Sequence, residues 1–154
     1  MFNVRVHRNL NVPRDDVWNV VKDFGGHYRF NPYVEYSPVG NGIAEGMGSE
    51  RELKFYGGPV VKQKVIDYEE GHMILVGISE SSWPIKRGWS RLTLDDTGES
   101  SCLMQYHLSF VPALGPLAPL LGLYYKPVFT NQGHVVLRSV EQFVLTGEEA
   151  VEFH

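Results

Sequence analysis

The stretch SERELKFYGGPVVKQKV, residues 49–65, decides how the chain is read. Gly57-Gly58-Pro59 is a turn signal between two alternating runs, so the segment is a β-hairpin. With the turn centred on Gly57, Glu50 stands opposite Lys64 and Glu52 opposite Lys62. Two opposite-charge cross-strand pairs then share one face of the sheet. The other face carries Ser49, Arg51, Leu53 and Phe55 against Val61, Gln63 and Val65. Charges outward and apolar groups inward is the self-consistent assignment. It leaves Arg51 on the inner face, directly opposite Gln63.

The same bookkeeping extends along the sheet. A turn at Glu70-Gly71 sets Val65 against Val76, Gln63 against Ile78 and Val61 against Glu80, which brings Glu80 inward near Arg51. A three-residue turn over Thr97–Glu99 sets Leu94 against Cys102, Leu92 against Met104 and Ser90 against Tyr106. Leu108 and Phe110 continue that face. The predicted inner surface is mainly apolar, with Arg51, Gln63, Glu80, Ser90 and Tyr106 as its polar members. Few placed polar groups on apolar walls suit a small-molecule pocket.

Outside this sheet, Phe2 to Leu10 alternates as a strand, and Pro13 opens a helix through Val17, Trp18, Val21 and Phe24 that Gly25-Gly26 stops. A short second helix or turn runs from His27 to Asn31. About six strands follow between Val34 and Val111. From Lys126-Pro127 the period becomes helical, with Phe129, Gly133, Val136, Val140 and Phe143 on one face and Gly147 as the stop. Segregated strands and helices predict an α+β fold: an antiparallel sheet of about seven strands covered by a long C-terminal helix. At 154 residues one domain is expected, with an acidic, frayed tail over 148–154.

Composition narrows the function. Lys and Arg number 14 against 18 Asp and Glu, a net charge of −4, so no nucleic-acid partner is expected. The single Cys102 removes disulfides and multi-cysteine zinc sites. The six histidines form no local metal signature, and Gly40-Asn41-Gly42 with Gly46 misses the dinucleotide spacing. No cofactor or metal is called for. The opening MFNVRVHRNL carries no secretory h-region, which gives a cytoplasmic expectation. From Leu108 to Tyr125 no residue is charged, yet its prolines and glycines interrupt any spanning helix. That run reads as a strand end, a loop and a short helix. Its part 117–125 either covers a cavity mouth or docks on a membrane or protein.

The segment Val12-Pro13-Arg14-Asp15-Asp16-Val17-Trp18-Asn19-Val20-Val21-Lys22-Asp23-Phe24 resembles the opening pattern of the START-like (SRPBCC) ligand-binding superfamily. This group includes polyketide cyclase/dehydrase-like and lipid-transport-like proteins. The resemblance continues through Tyr28, Phe30, Pro32, Val34, Gly48, Arg51, Gly57-Gly58, Tyr68-Glu69 and Phe110-Val111-Pro112. It implies a helix-grip fold, in which a curved sheet wraps the last helix around a cavity. In similar members a Glu often stands at the position of Gln63, facing the Arg matched by Arg51, and a Trp at that of Tyr106. With that carboxylate missing, Glu80 is a candidate substitute partner for Arg51, beside Gln63 and backbone carbonyls.

Three functions stay open on these residues. The first is binding or transport of a hydrophobic small molecule, such as a lipid, isoprenoid or polyketide. Its pocket would be Arg51, Leu53, Phe55, Gln63, Ile78, Glu80, Ser90, Leu92, Met104, Tyr106, Leu108 and Phe110, rimmed by Gly57, Gly58 and Trp83. Arg51 would hold an acidic or phosphate group of the ligand through its fork of donors, or serve the fold. The second is a cyclase or dehydratase, for which Tyr106 and Glu80 are the candidate acid–base groups. The third is a partner-binding protein with a filled core and an exposed 117–125 segment.

Overall fold

The computed structural model describes residues 2–113 and 115–151. Seven strands, β1 (Phe2–Leu10), β2 (Val34–Tyr36), β3 (Glu50–Phe55), β4 (Val60–Glu69), β5 (Met73–Ser81), β6 (Ile85–Gly98) and β7 (Ser101–Pro112), form one curled sheet. Its order is β1-β7-β6-β5-β4-β3-β2, and every neighbouring pair is antiparallel. Between β1 and β2 stand helix α1 (Arg14–Val21) and a 3₁₀ turn, Phe24–Arg29. After β7 a 3₁₀ turn, Gly115–Leu117, leads into α2 (Ala118–Thr146), which lies across the concave face. This is the α+β helix-grip arrangement.

The β3–β4 register is the one the charges require: Glu50 opposite Lys64, Arg51 opposite Gln63, Glu52 opposite Lys62. Two bulges on the β4–β5 ladder, at Ser79 and Ile66, interrupt simple alternation and add curvature. The first corrects the placement of Glu80. The extra residue sets Glu80 opposite Lys62 rather than Val61. Glu80 therefore lies on the convex face, in a 3.3 Å ion pair with Lys62. The β6–β7 connection is the two-residue Glu99-Ser100, one residue shorter than expected. Leu94 accordingly faces Met104, Leu92 faces Tyr106 and Ser90 faces Leu108. A two-residue slip keeps every side chain on its own face, so the inner surface survives.

Helix limits also differ from expectation. Pro13 is the N-cap of α1, not its first helical residue, and Gly25-Gly26 sits inside the 3₁₀ turn. The last helix starts at Ala118 and runs through Pro127, not from it. Pro119 falls in the first turn, where backbone N–H groups lack helical partners anyway. Pro127 costs one hydrogen bond, to the carbonyl of Leu123, a residue on the exposed side of α2. Gly147 closes the helix at φ 73°, donating to the Phe143 carbonyl at 2.8 Å. Beyond it, Ala150 N–H donates to the Arg29 carbonyl at 2.7 Å. Of the tail expected to fray, residues 152–154 lie outside the described residues.

Two contacts fix α2 on β1. A Cβ at Gly133 would lie 3.0 Å from Val6 Cγ2, so glycine permits the close approach. Glu141, buried at 5% exposure, accepts hydrogen bonds from Arg8 Nη2 (3.1 Å) and the Asn11 N–H (2.7 Å). At the β6–β7 turn end of the sheet, Leu10, Val17, Trp18, Leu94, Met104 and Leu137 close into a sealed core. The other end remains hollow.

Candidate functional site

Between the concave sheet face, the Phe24–Arg29 turn and α2 lies a cavity of about 400 Å³. That size falls within the range of small-molecule sites. Its apolar walls include Val76, Ile78, Leu92, Leu108, Phe110 and Val136. The β5–β6 connection and α2 meet at its mouth, where the Trp83 ring lies 6.1 Å from that of Tyr125 and 6.4 Å from that of Phe129. Tyr56, Gly58 and Pro59 of the β3–β4 turn also line it.

The sequence-derived residues divide accordingly. Arg51, Leu53, Phe55, Gln63, Ile78, Ser90, Leu92, Tyr106, Leu108 and Phe110 all reach the cavity wall, as do Gly58 and Trp83. Met104 does not. It faces inward at 1% exposure but packs in the sealed core, at the end where α1 fills the sheet. Glu80 is on the opposite face of the sheet, for the reason given above. Gly57 turns the chain at φ 60° and stays off the wall.

The polar end is built around Arg51. Its Nε donates to Gln63 Oε1 at 2.8 Å, Nη1 donates to the Phe24 carbonyl at 3.1 Å, and the guanidinium carbon sits 3.8 Å from the Phe24 ring centroid. Among the described residues no carboxylate lies within 4 Å of it. Burial pulls its pKa down to about 9, and the group is a cation at neutral pH. Neither Asp, Glu nor Lys lines the cavity among the described residues.

Periodicity gave no sign of the residues beside it. His27 and Asn31 also line this end, carried by the 3₁₀ turn and the residues just after it. Asn31 Oδ1 accepts the Tyr33 N–H at 3.0 Å, which turns its amide nitrogen toward His27 Nε2 at 2.8 Å. The amide can only donate there, so Nε2 is the acceptor and the ring proton is on Nδ1. Burial, and then the Arg51 charge, hold the His27 pKa well below the usual imidazole value. The neutral ring and the hydrogen-bond pattern agree. The one available sequence signal was the i,i+4 spacing of His27 and Asn31 after Gly25-Gly26. Burial likewise raises the Tyr106 phenol pKa, against the opposing effects of Ser90 and Arg51.

On the outside, Leu117, Leu120, Leu123 and Tyr124 project from the start of α2 with 59–77% of their surface exposed. No helix among the described residues is long and apolar enough to cross a membrane.

No curated protein matches this chain. A family model described as polyketide cyclase / dehydrase and lipid transport matches residues 1–132. Among solved structures, the protein XoxI from Bacillus cereus superposes with a TM-score of 0.77 at 15% identity, covering 95% of this chain and 97% of its own. A START superfamily protein from Mycobacterium smegmatis gives 0.77 at 16% identity, covering 94% and 98%. Truncated norcoclaurine synthase from Thalictrum flavum gives 0.69 at 16%, covering 94% and 93%. At such identities the likeness is one of fold.

Proposed function

Because the chain belongs to the polyketide cyclase / dehydrase and lipid transport family, we propose that it binds a hydrophobic small molecule between its sheet and α2. The observation that carries this reading is the hollow end of the sheet, about 400 Å³ with apolar walls and one polar end. Desolvation of an apolar ligand supplies the affinity, and the Arg51 end fixes its orientation. The filled-core alternative is at odds with this cavity. Acid–base turnover through Tyr106 and Glu80 has lost its geometry, because Glu80 stands on the convex face.

Native mass spectrometry of freshly purified protein, before and after solvent extraction, tests the reading together with titration of the stripped protein by the neutral fluorophore N-phenyl-1-naphthylamine. Saturable binding of one molecule per chain is expected, weakened at least tenfold by the cavity-filling Leu108→Trp. Absence of saturable binding, or binding that ignores Leu108→Trp, would contradict it.

A further inference from the structure

The polar end of the cavity has an unusual inventory. Arg51 is a buried cation without a carboxylate partner among the described residues, and buried charge normally has one. The acceptors nearby are already in use. Gln63 Oε1 receives Arg51 Nε, and Asn31 Oδ1 receives the Tyr33 N–H. The lone pair of His27 Nε2 receives the Asn31 amide. Apart from the Ser90 and Tyr106 hydroxyls, which can donate as well as accept, the groups left over are donors. Guanidinium N–H groups of Arg51 beyond the two in use, the Nδ1–H of His27 and the amide hydrogens of Gln63 make no hydrogen bond to another acceptor among the described residues. The site therefore offers hydrogen-bond donors and one positive charge, and nothing that would repel an anion.

We infer that the ligand is an amphiphile ending in a monoanionic group, a carboxylate, seated between Arg51, His27 and Gln63 with its apolar body along the cavity. This rests on the cavity reading above and specifies its ligand. A planar carboxylate matches the guanidinium fork and accepts from several donors at once. Charge sets the count. Among the described residues Arg51 is the one cation on the wall and His27 is neutral, so a single negative charge balances the cavity whereas a dianionic phosphate leaves one in excess. A neutral alcohol brings one oxygen and leaves the buried charge unpaired. Asn31 is a positioning residue, fixing the His27 tautomer, while Gln63 both orients Arg51 and meets the ligand.

The variant that isolates the idea is Gln63→Glu. It is nearly isosteric, and it places a carboxylate 2.8 Å from Arg51 Nε within the protein itself. The stripped protein is loaded with N-phenyl-1-naphthylamine, and dodecanoate, dodecanol and dodecyl phosphate compete for it at pH 7.5. Wild type should favour dodecanoate over dodecanol, and over dodecyl phosphate, by tenfold or more. Gln63→Glu should lose the preference for dodecanoate over dodecanol, read as the ratio of the two affinities within that variant; Arg51→Met should lose it too. Equal affinities for acid and alcohol in wild type, or a preference that survives Gln63→Glu, would overturn the inference while leaving the cavity reading intact. Tighter binding of dodecyl phosphate would overturn the monoanion assignment. If neither fluorophore nor dodecanol binds, the cavity reading itself fails, and this inference with it.

Discussion

Replacing Arg51 by Met separates a ligand anchor from a structural arginine. Burial pulls the guanidinium pKa from its usual, much higher value down to about 9, so holding the charge in the cavity costs on the order of 5 kcal/mol. Met keeps the apolar stem and removes that cost. Against it stand two lost hydrogen bonds, to Gln63 Oε1 and the Phe24 carbonyl, and the stacking on the Phe24 ring. The lowered pKa is already net of what the charge gains from those contacts, so what remains to subtract is the two acceptors left without a donor, roughly 3 kcal/mol together. The ligand-free Arg51→Met protein is therefore expected to be more stable by roughly 1–3 kcal/mol. Replacing a buried ion pair by apolar residues of similar volume is often neutral or stabilising by ~1–4 kcal/mol, and among the described residues Arg51→Met leaves no carboxylate behind unpaired. For a chain of 154 residues, each kcal/mol moves Tm by about 3 °C. Thermal unfolding followed by circular dichroism on stripped protein at pH 7 should show a rise of roughly 3–9 °C. A fall of several degrees would refute the reasoning, because it would mean that the fold itself satisfies and needs the charge.

Three further outcomes follow from other parts of the molecule. Glu141→Leu removes the buried acceptor of Arg8 and of the Asn11 N–H, and should cost about 2–4 kcal/mol in urea unfolding; a cost under ~0.5 kcal/mol would show that α2 is held without it. Lys62→Glu disturbs the exposed pair with Glu80 and the cross-strand pairing with Glu52, both on the convex face, and should cost no more than about 1 kcal/mol, whereas gross unfolding would contradict the β4–β5 register. The third is a pH effect at His27, whose ring meets Arg51 from β3, Asn31 and the Phe30 ring. Its folded pKa lies below the unfolded value near 6.5, so the unfolded chain takes up the proton first. Its contribution is complete above pH 6.5 and is lost as pH falls, by up to about 1.4 kcal/mol per pH unit. His27→Gln should flatten that part of the stability profile between pH 6.5 and 5.5; an unchanged slope would mean that His27 is not held neutral.

The β3–β4 hairpin was readable because turn residues and opposed charges specify the same register, and that register puts Arg51 beside Gln63 on the inner face. The β6–β7 inner face was readable despite a two-residue error, since parity alone decides which side chains point inward. Glu80 was not readable, because a bulge consumes one residue without altering the alternating pattern. Met104 was assigned to the correct face but not the correct depth, which depends on where α1 packs. His27 and Asn31 escaped notice for a related reason. A 3₁₀ turn has no long hydrophobic period, so the direction of its side chains emerges only with the tertiary fold. The start of α2 was obscured by prolines, which the helix accommodates in its first turn and on its exposed side.

The proposed function places an apolar molecule in the hollow end of the sheet. Methyl NMR of Ile-, Leu- and Val-labelled stripped protein, titrated with N-phenyl-1-naphthylamine, tests it most directly, because the naphthyl ring strongly shifts methyls beside it. Saturating, one-to-one shifts are expected at Val76, Ile78, Leu92, Leu108 and Val136, all on the cavity wall, with Leu117, Leu120 and Leu123 unmoved. Shifts confined to those three exposed leucines, or none at the wall methyls, would contradict it.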